Sequence, residues 1–143
     1  MIIRGVFLAR EKDLSWFVKE GVNAIYPEAY QVLLDSLDGH NIDNLYTTLW
    51  GEDEIAVRRM TKAWMQWSGQ VALGVDYCKE ESPEHISHKM VEQVKMELNY
   101  AKNKYFITEN QVLEACTELQ NIPTIIIHGR YDLVCPIEAG VSL

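Results

Sequence analysis

The sequence has few cysteines, and they form none of the patterns that stabilise small secreted or zinc-binding folds. Cys78, Cys116 and Cys135 lie far apart, and no Cys-x-x-Cys pair occurs. An odd number of isolated thiols supports neither a disulfide framework nor a cysteine zinc site. We therefore expect free, buried thiols.

Positive charge is also scarce. The 143 residues carry 13 Lys+Arg against 21 Asp+Glu, a formal net charge of −8 at pH 7. A chain of this sign repels the phosphate backbone that dominates nucleic-acid affinity, so DNA and RNA are excluded as leading partners. No apolar run approaches the roughly 20 residues needed to cross a bilayer, and charges come too early for a signal peptide. We expect a cytoplasmic protein with no membrane partner.

Short apolar runs lie at both ends of the chain, with a long helical pattern between them. Residues 1–3 (MII) stop at the turn signal Arg4-Gly5, and residues 124–128 (TIIIH) form a continuous, mostly β-branched run. The second run is typical of a strand buried on both faces of a parallel sheet. Since a helical pattern leads directly into it, the sequence predicts an α/β fold.

Helical spacing predicts the elements between these runs. Apolar repeats, acidic first turns and capping residues mark each start. The predicted helices run from Pro27 to about Gly39, across residues 57–67, from a Ser82 cap through Glu97, and from Thr108 to about Gln120.

Asp132 occupies the most informative position in the chain. It ends the stretch Gly129-Arg130-Tyr131-Asp132, directly after the second apolar run. Open α/β sheets place ligands and catalytic side chains at the carboxyl ends of their strands. On position alone, Asp132 is either a catalytic carboxylate or an ordinary turn residue.

Several stretches of the chain resemble landmarks of one enzyme family. They read RGVF from Arg4, WF from Trp16, EG from Glu20, YPEA from Tyr26, AWxxW from Ala63, and IPxxxxHGRYDxxCP from Ile122. This set is similar to the proline iminopeptidases (prolyl aminopeptidases), which are serine hydrolases of the α/β-hydrolase fold. The resemblance runs along nearly the whole chain.

The resemblance implies a partial α/β-hydrolase, mostly a helical cap flanked by two parallel core strands. Residues 1–8 would be a core strand segment, 9–107 the cap, and 108–143 a core helix, strand and loop. Asp132 would then be the acid of a catalytic triad. Its role would be to accept a hydrogen bond from the triad imidazole, which fixes the tautomer and stabilises the imidazolium.

The other two members of such a triad are not in this sequence. A serine hydrolase of this fold needs Gly-x-Ser-x-Gly followed by the acid and then the histidine. No serine here lies between glycines two residues away on both sides. We expect His128 to be buried and hydrogen-bonded, with no acid–base role. By the resemblance the nucleophile would precede Met1 and the histidine would follow Leu143, so an internal fragment, inactive alone, is expected.

The resemblance also implies residues that bind the substrate, a peptide with amino-terminal proline. The family binds the free ammonium through cap glutamates, and Glu97 resembles one of them. Ser68 stands where the other glutamate is expected, which removes a charge. Of the tryptophans, Trp67 is expected to line the binding site. Glu97 as a solvated helix carboxylate is an equal alternative, and no cofactor or metal is implied.

Two other functions remain open. The chain is alternatively a non-catalytic remnant or a cap module that binds peptides or proteins. Two strands without neighbours would leave open edges, so exposure of residues 125–127 would favour self-association. Recovery of activity by pairing with a separately made amino-terminal piece has no direct support in the sequence.

Overall fold

The computed structural model describes residues 1–78 and 83–143. Within them the chain is mostly helical, and its strands form a two-stranded parallel sheet. Strand β1 (Ile2–Arg4) pairs with β2 (Ile125–Ile127), with Ile2 opposite Ile125 and Arg4 opposite Ile127. The strands predicted at the two ends of the chain are therefore neighbours, and the architecture is compatible with part of an α/β fold.

Helices occupy most of the chain between and after these strands. They are α1 (Glu11–Val18), α2 (Val22–Ile25), α3 (Pro27–Asp35), α4 (Leu45–Leu49), α5 (Glu54–Leu73), α6 (His88–Lys102), α7 (Gln111–Ala115) and, after β2, α8 (Ile137–Ser142). Single 3-10 turns lie at Asp38–His40, Ile42–Asn44, Gly74–Asp76, Lys104–Phe106 and Cys116–Leu119.

Helix α5 is the central element and confirms the predicted long helix. A carboxylate oxygen of Asp53 caps its start by accepting from the backbone N–H groups of Ile55 and Ala56 at 3.0 and 3.1 Å. The face marked by residues 57–67 is buried, and the helix packs against α3, α4 and α6. An amphipathic helix buries its apolar stripe in this way because burial of that stripe supplies most of its stability.

The main apolar cluster forms around α5. Its buried members run from Val22 to Leu98, and Leu133 packs against it from the loop after β2. A second cluster contains Val6, Leu8 and Ala139, with partly buried residues of β1 and α7 around it. The division into residues 1–8, 9–107 and 108–143 stays a prediction.

The expectation that the second strand is buried on both faces is wrong for this chain. The side chains of Ile125 and Ile127 are 62% and 53% exposed. Their neighbour across the ladder, Ile2, is 72% exposed. Within the described residues no further strand or helix covers this face, and a parallel strand is buried only when layers cover both sides.

The predicted start of the helix that carries Glu97 is also wrong. Helix α6 begins at His88, and the Ser87 hydroxyl caps it by accepting from the N–H of Met90 at 3.3 Å. The Arg58 guanidinium of α5 donates to the carbonyl oxygen of Ile86, so the backbone here contacts α5 before the helix starts. Ser82, the expected cap, lies outside the described residues.

The two remaining helices are present, but the Thr108 cap predicted for the second is wrong, since α7 begins at Gln111 directly after Asn110. Helix α3 begins at Pro27 and ends at Asp35, before Gly39. The side-chain oxygen of Gln111 accepts from the N–H of Thr108 at 2.9 Å, which is half of the expected capping box. Helix α7 then tightens into the 3-10 turn Cys116–Leu119, which ends close to the predicted limit.

Candidate functional site

Asp132 lies in the loop between β2 and α8, with a defined orientation. One carboxylate oxygen accepts from the backbone N–H of Cys135 at 2.8 Å. The Asp132 side chain is 31% exposed, and its other oxygen lies 3.8 Å from His128 Nε2. This local bond to the backbone three residues on holds the carboxylate in one direction.

His128 is engaged by the backbone on both sides of its ring. Nδ1 accepts from the N–H of Val6 at 3.2 Å, and Nε2 lies 2.6 Å from the carbonyl oxygen of Cys135. Because Nδ1 accepts, Nε2 carries the proton and donates to Cys135. Nε2 is 3.8 Å from Asp132, beyond hydrogen-bond distance. The buried, hydrogen-bonded role expected for His128 agrees with these contacts.

Helix α1 and the residue before it hold the Asp132 loop from the helical side. The Trp16 indole N–H donates to the carbonyl oxygen of Leu133 at 2.9 Å. The buried Arg10 guanidinium donates to both oxygens of Asp13 and to both oxygens of Glu138, the last on α8. The loop is therefore tied to the helical layer on both sides of Cys135.

A cavity of about 270 Å³ lies between the helical layer and this loop. Five aromatic side chains line it: Phe7, Phe17, Tyr46, Trp64 and Tyr105. Glu97 from α6 and Cys135 from the Asp132 loop line it as well. An apolar cavity with few polar groups, of nearly the roughly 300 Å³ at which drug-sized sites begin, is the usual form of a small-ligand site.

Glu97 lies in an apolar part of the cavity. Burial among these side chains raises the pKa of its carboxyl, and the nearby Trp64 indole offsets part of that rise. Glu97 remains reachable by solvent from the cavity. Glu97 is nevertheless an exposed residue, so its carboxyl is only partly shielded from water, and a cationic ligand is attracted somewhat more strongly than at an open surface.

The other ionisable groups of the cavity carry no free negative charge. Both oxygens of Asp13 are hydrogen-bonded to Arg10. Burial raises the pKa of the Cys135 thiol to about 11 and also raises the pKa of the Tyr105 hydroxyl. Among the described lining residues, Glu97 is the carboxylate left free for a ligand.

Ser68 and Trp67 lie outside the cavity lining in the described part of the chain. The Ser68 hydroxyl donates back to the helix, with the Trp64 carbonyl oxygen at 2.9 Å. Trp67 is fully buried and packs against Phe17 and Tyr30. Trp64, one helical turn earlier, supplies the tryptophan of the cavity wall.

Sequence reasoning missed Tyr105 and Phe7. Their rings meet edge to face with centroids 5.0 Å apart, although 98 positions separate them. Tyr105 reaches the cavity from a backbone with φ of 54°, between Lys104 and Phe106, which also have positive φ. No periodic pattern marks a left-handed run of non-glycine residues, so the sequence carried no signal for this wall.

The Trp64 indole N–H adds a further feature. Trp64 is almost completely buried. Its indole N–H is directed at Glu97, and this contact lowers the pKa of that carboxyl, although no hydrogen bond of full geometry forms there within residues 1–78 and 83–143.

No family model matches the chain, but curated relatives match all of it. A probable proline iminopeptidase from Leptolyngbya boryana is 30% identical over 155 residues, which cover the whole chain and 46% of the relative. A proline iminopeptidase from Xanthomonas citri is 31% identical over 149 residues, with the whole chain and 47% of the relative covered. One from Arabidopsis thaliana is 26% identical over 149 residues, with 39% of its length covered.

These relatives are named as proline iminopeptidases, a kind of peptidase. The chain is similar to them along its whole length, which confirms the resemblance seen in the motifs. The chain spans about half the length of the curated relatives it matches.

One further finding concerns membranes. Within residues 1–78 and 83–143, every helix is too short or too polar to cross a bilayer.

Proposed function

We propose that this chain is the substrate-binding part of a serine exopeptidase that releases proline from the amino terminus of peptides. The observation that carries the proposal is the position of Glu97 in an aromatic cavity that adjoins the Asp132 loop through Cys135. A carboxylate for the amino terminus would then line the cavity, and a carboxylate for the triad imidazole would lie in the adjoining loop.

In this proposal Asp132 is the triad acid of a partial α/β-hydrolase. Its oxygen that accepts from Cys135 fixes the direction of the carboxylate. Its other oxygen would accept from the Nδ1–H of a histidine outside these residues, stabilising the imidazolium that forms when serine attacks. His128 does not fill this role, since its protonated nitrogen already donates to Cys135.

Glu97 would bind the ammonium group of the substrate. The pair gains strength because the cavity is partly shielded from water and no lysine, arginine or histidine lines it in the described residues. Trp67 would act from behind, by packing against Phe17, which lines the cavity. Ser68 would supply no second carboxylate, and its hydroxyl donates to the Trp64 carbonyl oxygen of its own helix.

The chain alone is proposed to be inactive. Acyl transfer needs a nucleophile activated by an adjacent base. The 143 residues contain no Gly-x-Ser-x-Gly motif, and the structure brings no serine of the described residues into hydrogen bond with a histidine.

A chromogenic proline amide tests this part of the proposal. The purified chain, Asp132→Asn and Ser68→Glu should all release no chromophore above the buffer rate. A fluorophosphonate, which labels activated serines, should leave the mass of the chain unchanged. Hydrolysis or labelling that disappears in Asp132→Asn would mean that a nucleophile and a base are present after all.

A second candidate function rests on the exposed sheet. Ile2, Ile125 and Ile127 share one open face. Exposed strand edges and apolar sheet faces favour pairing with another chain. In this alternative the chain is a non-catalytic module that binds a second copy through the sheet.

A further inference from the structure

The backbone of Cys135 connects His128 to Asp132. Its N–H donates to Oδ1 of Asp132 at 2.8 Å, and its carbonyl oxygen accepts from Nε2 of His128 at 2.6 Å. These two hydrogen bonds hold the Cys135 backbone from both sides. The direction of the Asp132 carboxylate therefore depends on His128, although the two side chains are 3.8 Å apart and share no hydrogen bond.

The His128 ring is itself held in one orientation. Its Nδ1 accepts from the backbone N–H of Val6 at 3.2 Å. The ring also packs against α8, where a Cβ on Gly140 would lie 3.2 Å from Nδ1. The side chain is only 4% exposed. The chain after β1 and helix α8 together therefore set the direction in which Nε2 points.

This arrangement requires a neutral imidazole. Nδ1 can accept from Val6 only while it carries no proton. A proton on Nδ1 would make it a donor that faces the N–H of Val6, and two donors share no hydrogen bond. A charged His128 would therefore lose its contact with Val6, while Nε2 keeps its own proton.

Protonation also changes the acceptor that Nε2 prefers. Oδ2 of Asp132 lies 3.8 Å from Nε2. A charged ring is attracted more strongly to this full negative charge than to the partial charge of the Cys135 carbonyl oxygen, and burial of the ring reduces screening. A movement of about 1 Å would bring Nε2 and Oδ2 within hydrogen-bond distance.

The elements packed against the ring in the described part of the chain offer it no other free charge. The chain after β1 contributes the backbone of Val6. Helix α8 presents a glycine to the ring, and its carboxylate, Glu138, is bonded to Arg10. The loop contributes Asp132 and the thiol of Cys135, which stays neutral because burial raises its pKa to about 11.

We propose that neutral His128 positions Asp132 for the triad histidine, and that protonated His128 binds Oδ2 of Asp132 itself and so withdraws the triad acid. His128 is a positioning residue, since it acts through Cys135 and touches no substrate. The inference rests on the proposed function, because it takes Oδ2 as the acceptor for the triad imidazole. The triad acid is then free when His128 is neutral and occupied when it is charged.

The tautomer of His128 is the first measurement. Long-range 15N–1H correlation spectra of the labelled chain distinguish a protonated ring nitrogen from an unprotonated one. We expect Nε2 to carry the proton and Nδ1 to carry none at neutral pH. The opposite tautomer, or averaging between the two, would overturn the positioning role, because Cys135 would then lack its donor.

Two substitutions separate the two ends of the ring. His128→Asn places an acceptor where Nδ1 lies but is too short to reach Cys135, whereas His128→Gln places a donor near Cys135. We expect His128→Asn to shift the amide signal of Cys135 and the carboxyl signal of Asp132, and His128→Gln to restore both towards the wild type. His40→Asn, at an exposed histidine, is the control and should move neither signal. Equal shifts in the two His128 variants would overturn the positioning role.

A pH titration of the unsubstituted chain tests the protonated state. As the His128 ring becomes charged, the Cys135 amide and the Asp132 carboxyl carbon should shift with the same midpoint as the ring. This common transition should be absent in His128→Gln. A ring that becomes charged without moving these signals, or that stays neutral until the whole chain unfolds, would overturn the withdrawal of Asp132.

Failure of this inference is separable from failure of the proposed function. Peptide binding is measured at the amide of Glu97 in a titration with prolyl-alanine. Binding that depends on Glu97, with no link between His128 and Asp132, overturns the inference alone. Absence of that binding overturns the proposed function and, with it, the catalytic meaning of both states of His128.

Discussion

The indole N–H of Trp16 donates to the carbonyl oxygen of Leu133, the residue after Asp132, at 2.9 Å. Trp16 lies on α1, and the close approach of Gly21 holds its ring in place. A Cβ on Gly21 would lie 2.3 Å from the ring atom Cε3 of Trp16. The Trp16-Phe17 and Glu20-Gly21 stretches therefore pack against each other. Together they orient the loop that carries the proposed triad acid.

Trp16→Phe should loosen this loop. The change removes the donor to Leu133 and leaves a partly buried carbonyl oxygen unpaired, so the free energy of unfolding should fall by about 1–3 kcal/mol. Chemical denaturation measures this, and the amide signals of residues 131–135 should shift in NMR. Trp50→Phe, at a tryptophan that is 43% exposed, is the control. Equal losses for the two variants would contradict the role of the Trp16 hydrogen bond.

Arg10→Met should be strongly destabilising. Arg10 is buried, and its guanidinium is within 2.7 Å of Asp13, which is also buried. Removing the cation strands a buried carboxylate, which typically lowers the free energy of unfolding by about 3–5 kcal/mol. The double variant Arg10→Met with Asp13→Leu should recover much of that loss in the same denaturation assay. A double variant less stable than Arg10→Met would contradict this explanation, because Asp13 would then stabilise the fold even without its cation.

Glu138 should make stability depend on pH under acid conditions. Hydrogen bonds from Arg10, then Ser142 and Lys12, lower the pKa of its carboxyl from 4.5 to about 2. The unfolded chain therefore binds the proton more tightly, and the stabilisation is present above pH 4.5 and lost as the pH falls towards 2. Unfolding measured across this range should show a shallower pH dependence in Glu138→Gln than in the wild type. Glu118→Gln, on an exposed turn, should keep the wild-type slope.

The open face of the sheet should drive self-association if the alternative function holds. Ile127→Lys places a charge on the face shared with Ile125 and Ile2, and charged edge residues block strand pairing. Analytical ultracentrifugation over a range of concentrations should then show a dimer for the wild type and a monomer for Ile127→Lys. Val75→Lys changes a still more exposed apolar residue far from the sheet in sequence and serves as control. A wild-type monomer at every concentration would exclude this interface.

The fold was predictable wherever a periodic pattern and a local cap coincide. Helix α5 has both its apolar face and the Asp53 cap. The two strands follow from apolar runs, whereas their parallel arrangement was implied by the family resemblance. The start of α6 was not predictable, because Ser82 and Ser87 both precede an apolar repeat. The contact of Ile86 with Arg58 accompanies the later start, and this contact depends on tertiary structure.

The candidate site was also predictable only in part from the sequence. Glu97 and Asp132 came from motifs, and the structure positions both beside one cavity, directly or through Cys135. No motif and no helical periodicity pointed to Tyr105 and Phe7. Their contact joins residues far apart in sequence, and a left-handed turn places Tyr105 there. Trp67 was predicted to line the binding site, but Trp64 does so. Which of the two side chains faces the cavity depends on the rotation of α5 about its own axis, and the spacing of the tryptophans does not fix that rotation.

The central claim is that the cavity beside the Asp132 loop binds the free amino terminus of a peptide through Glu97. The most direct test is an NMR titration of the 15N-labelled chain with prolyl-alanine and, in parallel, with N-acetyl-prolyl-alanine, which has no ammonium group. The account predicts that prolyl-alanine shifts the amides of Glu97, Tyr105 and Cys135, that Glu97→Gln abolishes these shifts, and that the acetylated peptide produces none. Equal binding of the two peptides, or shifts unchanged in Glu97→Gln, would contradict it.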